Sequence, residues 1–159
     1  MTAQADVDDW DVPGDLNVND AMTDKLYVLP MRRDGDGRPA FHPDSMLLVK
    51  TAASDGVAID YAVGAEDRRF VDHFSAGPDV VEIWLSLLGP ITDVTLFALG
   101  YALNGLLRRR GVKDKDLETS EVKVGIAQIN AKSGKMKGVK ISGPKGAVIE
   151  TVRELRDNQ

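Results

Sequence analysis

Two histidines, His42 and His73, are the only imidazoles in this chain of 159 residues, which has no cysteine. Without thiols there is no thiolate ligand, thiol nucleophile or disulfide framework, and two imidazoles are too few for a histidine-rich metal cage. His73 stands between Asp72 and Phe74, close to Ser75, in a stretch whose spacing predicts a short helix over 65–75. Successive residues of a helix point in directions about 100° apart, so Asp72, His73 and Ser75 cannot form a relay among themselves. His42, followed by Pro43, Asp44 and Ser45, reads first as a turn at the start of a helix or strand. No Gly-x-Ser-x-Gly elbow or His-Glu-x-x-His pair occurs. Asp34-Gly-Asp-Gly37 imitates the opening of a calcium loop, but a third acidic ligand and a closing glutamate are missing at the required spacing. Ser142-Gly-Pro-Lys-Gly146, ahead of a helix, could offer backbone N–H groups and Lys145 to an anion. It lacks the Walker spacing, and Gly-Pro is an ordinary way to open a helix. These residues therefore predict no catalytic centre, metal site or cofactor.

Charge is the more informative signal. The formal net charge is −5, but it is unevenly spread. Residues 1–24 hold seven aspartates and no cation; residues 108–159 carry 13 basic and 7 acidic side chains. Like charges repel, so 1–24 is expected to be a disordered acidic tail, with Trp10 as a grip should it dock on a basic surface. Its lack of positive charge argues against a secretory signal and for a cytoplasmic protein. The basic end has two clusters: Arg108, Arg109 and Arg110 with Lys113 and Lys115, and then Lys132, Lys135, Lys137, Lys140 and Lys145. Nucleic acid is a disfavoured partner, because residues 108–159 contain no Phe, Tyr or Trp on which a base could stack. Lys137 and Lys140 also have opposite strand parity, which spreads them over two faces.

The elements that must position these groups form one domain over 25–159. Lys25–Pro30 reads as a short, proline-ended strand at a sheet edge, and 32–43 as a turn-rich loop. Met46–Thr51 and Gly56–Val63 read as a hairpin. Val80–Leu88 is apolar and fits strand or helix equally. After Gly89-Pro90, the run Ile91–Arg109 is the longest helix candidate, closed by three arginines and Gly111. Residues 113–120 form a polar linker. The alternating Glu121–Asn130, a turn at Ala131–Lys135 and Met136–Ser142 make a second hairpin. Val148, Ile149, Val152 and Leu155 then mark a C-terminal amphipathic helix. The predicted fold is α+β, with two β-hairpins packed against a central apolar helix and the C-terminal helix.

Ile83–Leu107 contains 25 residues and a single charge, Asp93. That length could span a membrane, with Arg108–Arg110 at the inner headgroups. Gly89-Pro90 interrupts it, however, and Asp93 would be costly in hydrocarbon. A buried helix accounts for Asp93 more simply, as a first-turn carboxylate at the positive end of the dipole. The alternative is an inner-membrane protein anchored by 83–107.

From Pro78–Leu88, through the helix Ile91–Leu107 and its Arg108-Arg-Arg110 end, to the hairpin Val122–Ile141 and the helix Ala147–Leu155, the layout resembles the effector-associated constant component families of bacterial conflict and signalling systems. The acidic tail, the portion 26–63 and the linker 111–120 depart from that pattern. The resemblance implies a non-enzymatic component that works through protein contacts, and it carries over no catalytic residue. The expectation is an interaction or adaptor module whose partner is a protein, with self-association through the central helix as an extension. Trp10, Arg108, Arg109, Arg110, Lys135, Lys137, Lys140 and Lys145 are its candidate contact residues. Membrane and nucleic acid are the alternative partners.

Overall fold

The computed structural model describes residues 5–10, 22–30, 32–33, 39–41, 43–62, 69–70 and 80–159. The fold is α+β. A six-stranded mixed sheet runs in the order β1 (Asp6–Trp10), β9 (Met136–Pro144), β8 (Glu121–Ile129), β7 (Val81–Leu88), β2 (Leu26–Val28), β5 (Ile59–Tyr61). Three helices, α1 (Pro43–Ser54), α2 (Asp93–Arg109) and α3 (Lys145–Asp157), contribute to a single core with one face of that sheet. Three short strands, β3 (Arg32–Arg33), β4 (Pro39–Phe41) and β6 (Arg69–Phe70), make a second small sheet.

The C-terminal half follows from its own pattern. Val122, Val124 and Ile126 alternate toward the helices and are buried, while β8 pairs antiparallel with β9 along its whole length. Gly134, at a φ of 71°, completes the turn between them. Val148 and Val152 of α3 are buried in the core, with Ile149 and Leu155 packed at its margin. The apolar run at 80–88 resolves as β7, paired parallel with β8 over all eight residues. The crossover between these parallel strands is α2, which is why the apolar stretch 83–107 is not one continuous helix. No helix among the described residues is long and apolar enough to cross a membrane, and 83–107 is divided between β7 and α2 rather than forming one span.

The N-terminal half differs from its sequence reading in several places. Met46–Thr51 is not a strand of a hairpin but the middle of α1. Pro43 suits a first helical turn, and Leu48 and Ala52, four residues apart, both face the core. The second half of that supposed hairpin is β5, which pairs parallel with β2. A single hairpin, β8–β9, therefore remains of the two expected. β2 lies between β5 and β7 rather than at an edge. Pro30 is harmless there because the last donor, Leu29 N–H to the Trp84 carbonyl at 2.8 Å, precedes it. The loop expected over 32–43 contains β3 and β4, and the helix expected over 65–75 contains β6; the remainder of the latter lies outside the described residues.

Within the expected disordered tail, Asp6–Trp10 is strand β1, antiparallel to β9. The register sets Asp8 opposite Lys140 and Trp10 opposite Gly138, so the repulsion among aspartates is offset by a basic partner strand. The expected polar linker is also anchored. It contains a 3-10 turn at Asp114–Asp116, and Leu117 is buried.

Candidate interaction surface

α2 is built to present two faces. Thr92 caps it: the Thr95 N–H donates to Thr92 Oγ1 at 3.3 Å, and the Thr92 N–H donates to Thr95 Oγ1 at 2.8 Å. Asp93 lies in the first turn and Arg108 and Arg109 in the last, each complementing the helix dipole. Leu96, Leu99, Leu103, Leu106 and Leu107 are buried against the sheet. On the other side, Val94, Phe97, Tyr101, Gly105 and Arg108 recur at three- and four-residue spacing along one outward stripe. Phe97 is 67% exposed and Val94 48%.

α1 lies beside this stripe and runs antiparallel to it. Near its C-terminal end Asp55 accepts a 2.5 Å hydrogen bond from the Tyr101 hydroxyl, while Leu48 shares a groove with Leu106. That bond to Asp55, helped by desolvation and by the carboxylate's charge, pushes the Tyr101 phenol up to about 12. Met46 and Leu47 on α1 are exposed, and Leu47 borders the groove beside Gly105 and Arg109, at least two turns along α2 from Phe97. Between the helices is a groove of about 130 Å³ lined by Leu47, Leu48, Thr51, Tyr101, Gly105, Leu106 and Arg109. A tyrosine fixed at the centre, a glycine that leaves room and an exposed phenylalanine one turn away make a surface suited to apolar side chains.

The residues singled out from the sequence do not gather into one site. Trp10 is packed on Trp84 with ring centroids 5.0 Å apart, on the sheet face opposite the helices, where Lys123 sits 5.8 Å from the Trp84 ring. Its indole therefore holds β1 to the sheet. Arg108 Nε donates to Asp114 at 2.9 Å, Arg110 donates to the Val80 carbonyl, and Arg109 lines the groove between α1 and α2. Arg108 and Arg109 thus stand at the C-terminal end of the α2 stripe and groove, whereas Arg110 turns toward the start of β7. Lys135 and Lys137 are exposed at the far hairpin, and Lys140 is half-buried beside β1.

Lys145 is withdrawn from solvent. It is only 6% exposed, and its ammonium donates to Glu118 at 2.6 Å. The Lys145 and Gly146 N–H groups donate to the carbonyls of Ser120 and Glu118. The helix opening that could have received an anion is thus filled by the chain's own 118–120 turn. A wider groove of about 780 Å³ runs beside that turn, between Val7 of β1 and α3, and is lined by Glu118, Glu150 and Glu154. His42, His73 and the Asp34–Gly37 loop lie outside the described residues. Among the described residues no three metal-ligating side chains converge.

Phe97, Val94, Met46 and Leu47 are exposed apolar residues that the sequence reading does not single out, because apolar positions read as core. The signal was present: α2 is apolar on more sides than one sheet can cover, with Val94, Phe97 and Tyr101 diametrically placed to the leucine face. No family model, curated protein or solved structure matches this chain.

Proposed function

We propose that this protein is a non-enzymatic docking module that receives another polypeptide on the outer face of α1 and α2. The observation that carries this reading is the exposure of Val94 and Phe97 on the outer stripe of α2, with a groove farther along the same stripe that Leu47, Tyr101 and Gly105 line. Single exposed apolar residues are common, but two on one helix stripe that leads into a shaped groove mark a contact surface. Such a role agrees with the layout resemblance to effector-associated components, and a cytoplasmic adaptor of a bacterial conflict or signalling system is the specific form we favour. Arg108 and Arg109 supply a polar rim that sets orientation. The scattered lysines of the hairpin support a nucleic-acid role less well, since phosphate binding needs cations concentrated on one surface.

A photo-crosslinking amino acid at position 97, introduced into the full chain in its host, tests this. A discrete adduct that Leu47→Asp removes is the expected result. Absence of any adduct, with a matched probe at the exposed Lys132 giving the same blank, would overturn the reading.

A further inference from the structure

We infer that the open edge of β1 takes up an extended basic segment of another polypeptide, which adds to the sheet as a further strand along the groove beside α3. β1 ends the sheet order, so its outer row of N–H and C=O groups faces no described strand. Asp6, Val7, Asp8 and Asp9 are all exposed, Val7 to 48% although it is apolar. Trp10 fixes the orientation of the strand. Its ring lies on the sheet face away from the helices, so by alternation Asp6 and Asp8 share that face, while Val7 and Asp9 turn to the helix side. α3 packs on β9 and β8, and between it and β1 runs the groove of about 780 Å³, bordered by Ala5, Val7, Pro144 and Ala147.

Charge names the occupant. Glu118, Glu150 and Glu154 wall the groove, and among the described residues no lysine or arginine lines it. Glu118 already binds Lys145, and Glu150 binds Arg153; Glu154 and Asp9 have no ion pair among the described residues. On the other face Asp6 and Asp8 stand opposite Ser142 and Lys140, one cation for two carboxylates. A strand added beside β1 sends alternate side chains to these two faces and meets carboxylates on each. Main-chain pairing supplies its hold, and the carboxylates select for lysine or arginine. A second copy is a poor occupant of this edge. In antiparallel registers centred on Val7, Asp8 or Asp9, aspartate falls directly opposite aspartate, which is destabilising. The five residues of β1 span about 17 Å, so the contact is short, reversible and sensitive to salt. It does not draw on the α1–α2 face.

Fluorescence anisotropy of the full chain with a labelled peptide of about eight residues, alternating lysine and valine, tests this inference. Saturable binding at low salt is expected, weakening as salt is raised. A glutamate–valine peptide of the same length should not bind. The lysine–valine peptide N-methylated throughout should bind at least roughly tenfold more weakly, since it keeps the charge and loses its main-chain donors. Amide chemical-shift changes should map to Ala5–Asp9 and to 150–154 of α3. Glu150→Gln with Glu154→Gln, both exposed, should lower affinity roughly fivefold with unchanged circular dichroism. No saturable binding at low salt, equal binding of the N-methylated peptide, or shifts confined to the α1–α2 face would overturn the proposal. Dilution-dependent shifts at Ala5–Asp9 with no peptide present would give the edge to a second copy, and overturn it equally.

Discussion

Trp84 rests its indole directly on the backbone of Gly125, in the space where any other residue would carry its Cβ. The two are register partners across the parallel β7–β8 pair, and Trp10 closes over the same spot from the first strand. Gly125→Ala should therefore force the ring or the strand to shift, at a cost of about 1–3 kcal/mol. A melting temperature several degrees lower, with altered tryptophan fluorescence, is the expected outcome. An unchanged melting curve would mean the indole does not occupy that space.

The Lys145–Glu118 pair makes an asymmetric prediction. The ammonium is buried and the carboxylate largely exposed, with side-chain accessibilities of 7% and 68%. Glu118→Ala strands a buried cation at the positive end of α3 and should cost about 1–3 kcal/mol. Lys145→Met removes that cation and keeps the packing, so it should be close to neutral. Urea denaturation ranks the two; a larger loss for Lys145→Met than for Glu118→Ala would contradict this account.

How far the sequence foretold this molecule depends on the range of the forces involved. The hairpin at 121–144 and the helix after it were legible because their patterns are local: alternation at Val122, Val124 and Ile126, then a 3.6-residue period at Val148 and Val152. The start of α2 was legible too, from Gly89-Pro90 and the acid at Asp93. Met46–Thr51 was not, since four consecutive apolar residues suit a buried strand and a half-buried helix alike, and packing against α2 decides between them. β1 was hidden for another reason. Its aspartates argue for a solvated tail until Lys140, more than a hundred residues later, is set opposite Asp8. The candidate surface was concealed by chemistry, because Phe97 looks like core in a list of residues and only its place on the outer stripe of α2 separates it from Leu99.

The Thr92–Thr95 box should carry measurable stability. Thr92→Ala removes the cap acceptor for the Thr95 N–H and should cost about 1 kcal/mol in chemical denaturation. Because Thr95 Oγ1 reciprocates by accepting from the Thr92 N–H, the double alanine variant should cost less than the two single losses added together. Strict additivity would show that the two threonines act independently.

Tyr101 gives a pH signature. Its phenol is held at about 12 against an ordinary 10.0, chiefly by the hydrogen bond to Asp55. The folded chain thus keeps this proton more tightly than the unfolded chain. The resulting stability is complete below pH 10 and is lost as pH rises through 12. Subtracting the alkaline absorbance titration of Tyr101→Phe from that of the native chain should reveal a step near pH 12, and Asp55→Asn should move that step down toward 10. A step already near 10 in the native chain would show that the Asp55 bond does not form.

Photo-crosslinking from position 97 of the full chain in its host tests the central claim most directly, because it reports only what touches the outer face of α2, where Phe97 is exposed. A discrete adduct to another polypeptide, lost in Leu47→Asp, is the result this account predicts. No adduct from position 97, or an equal adduct from a probe at Lys132 on the far hairpin, would contradict it.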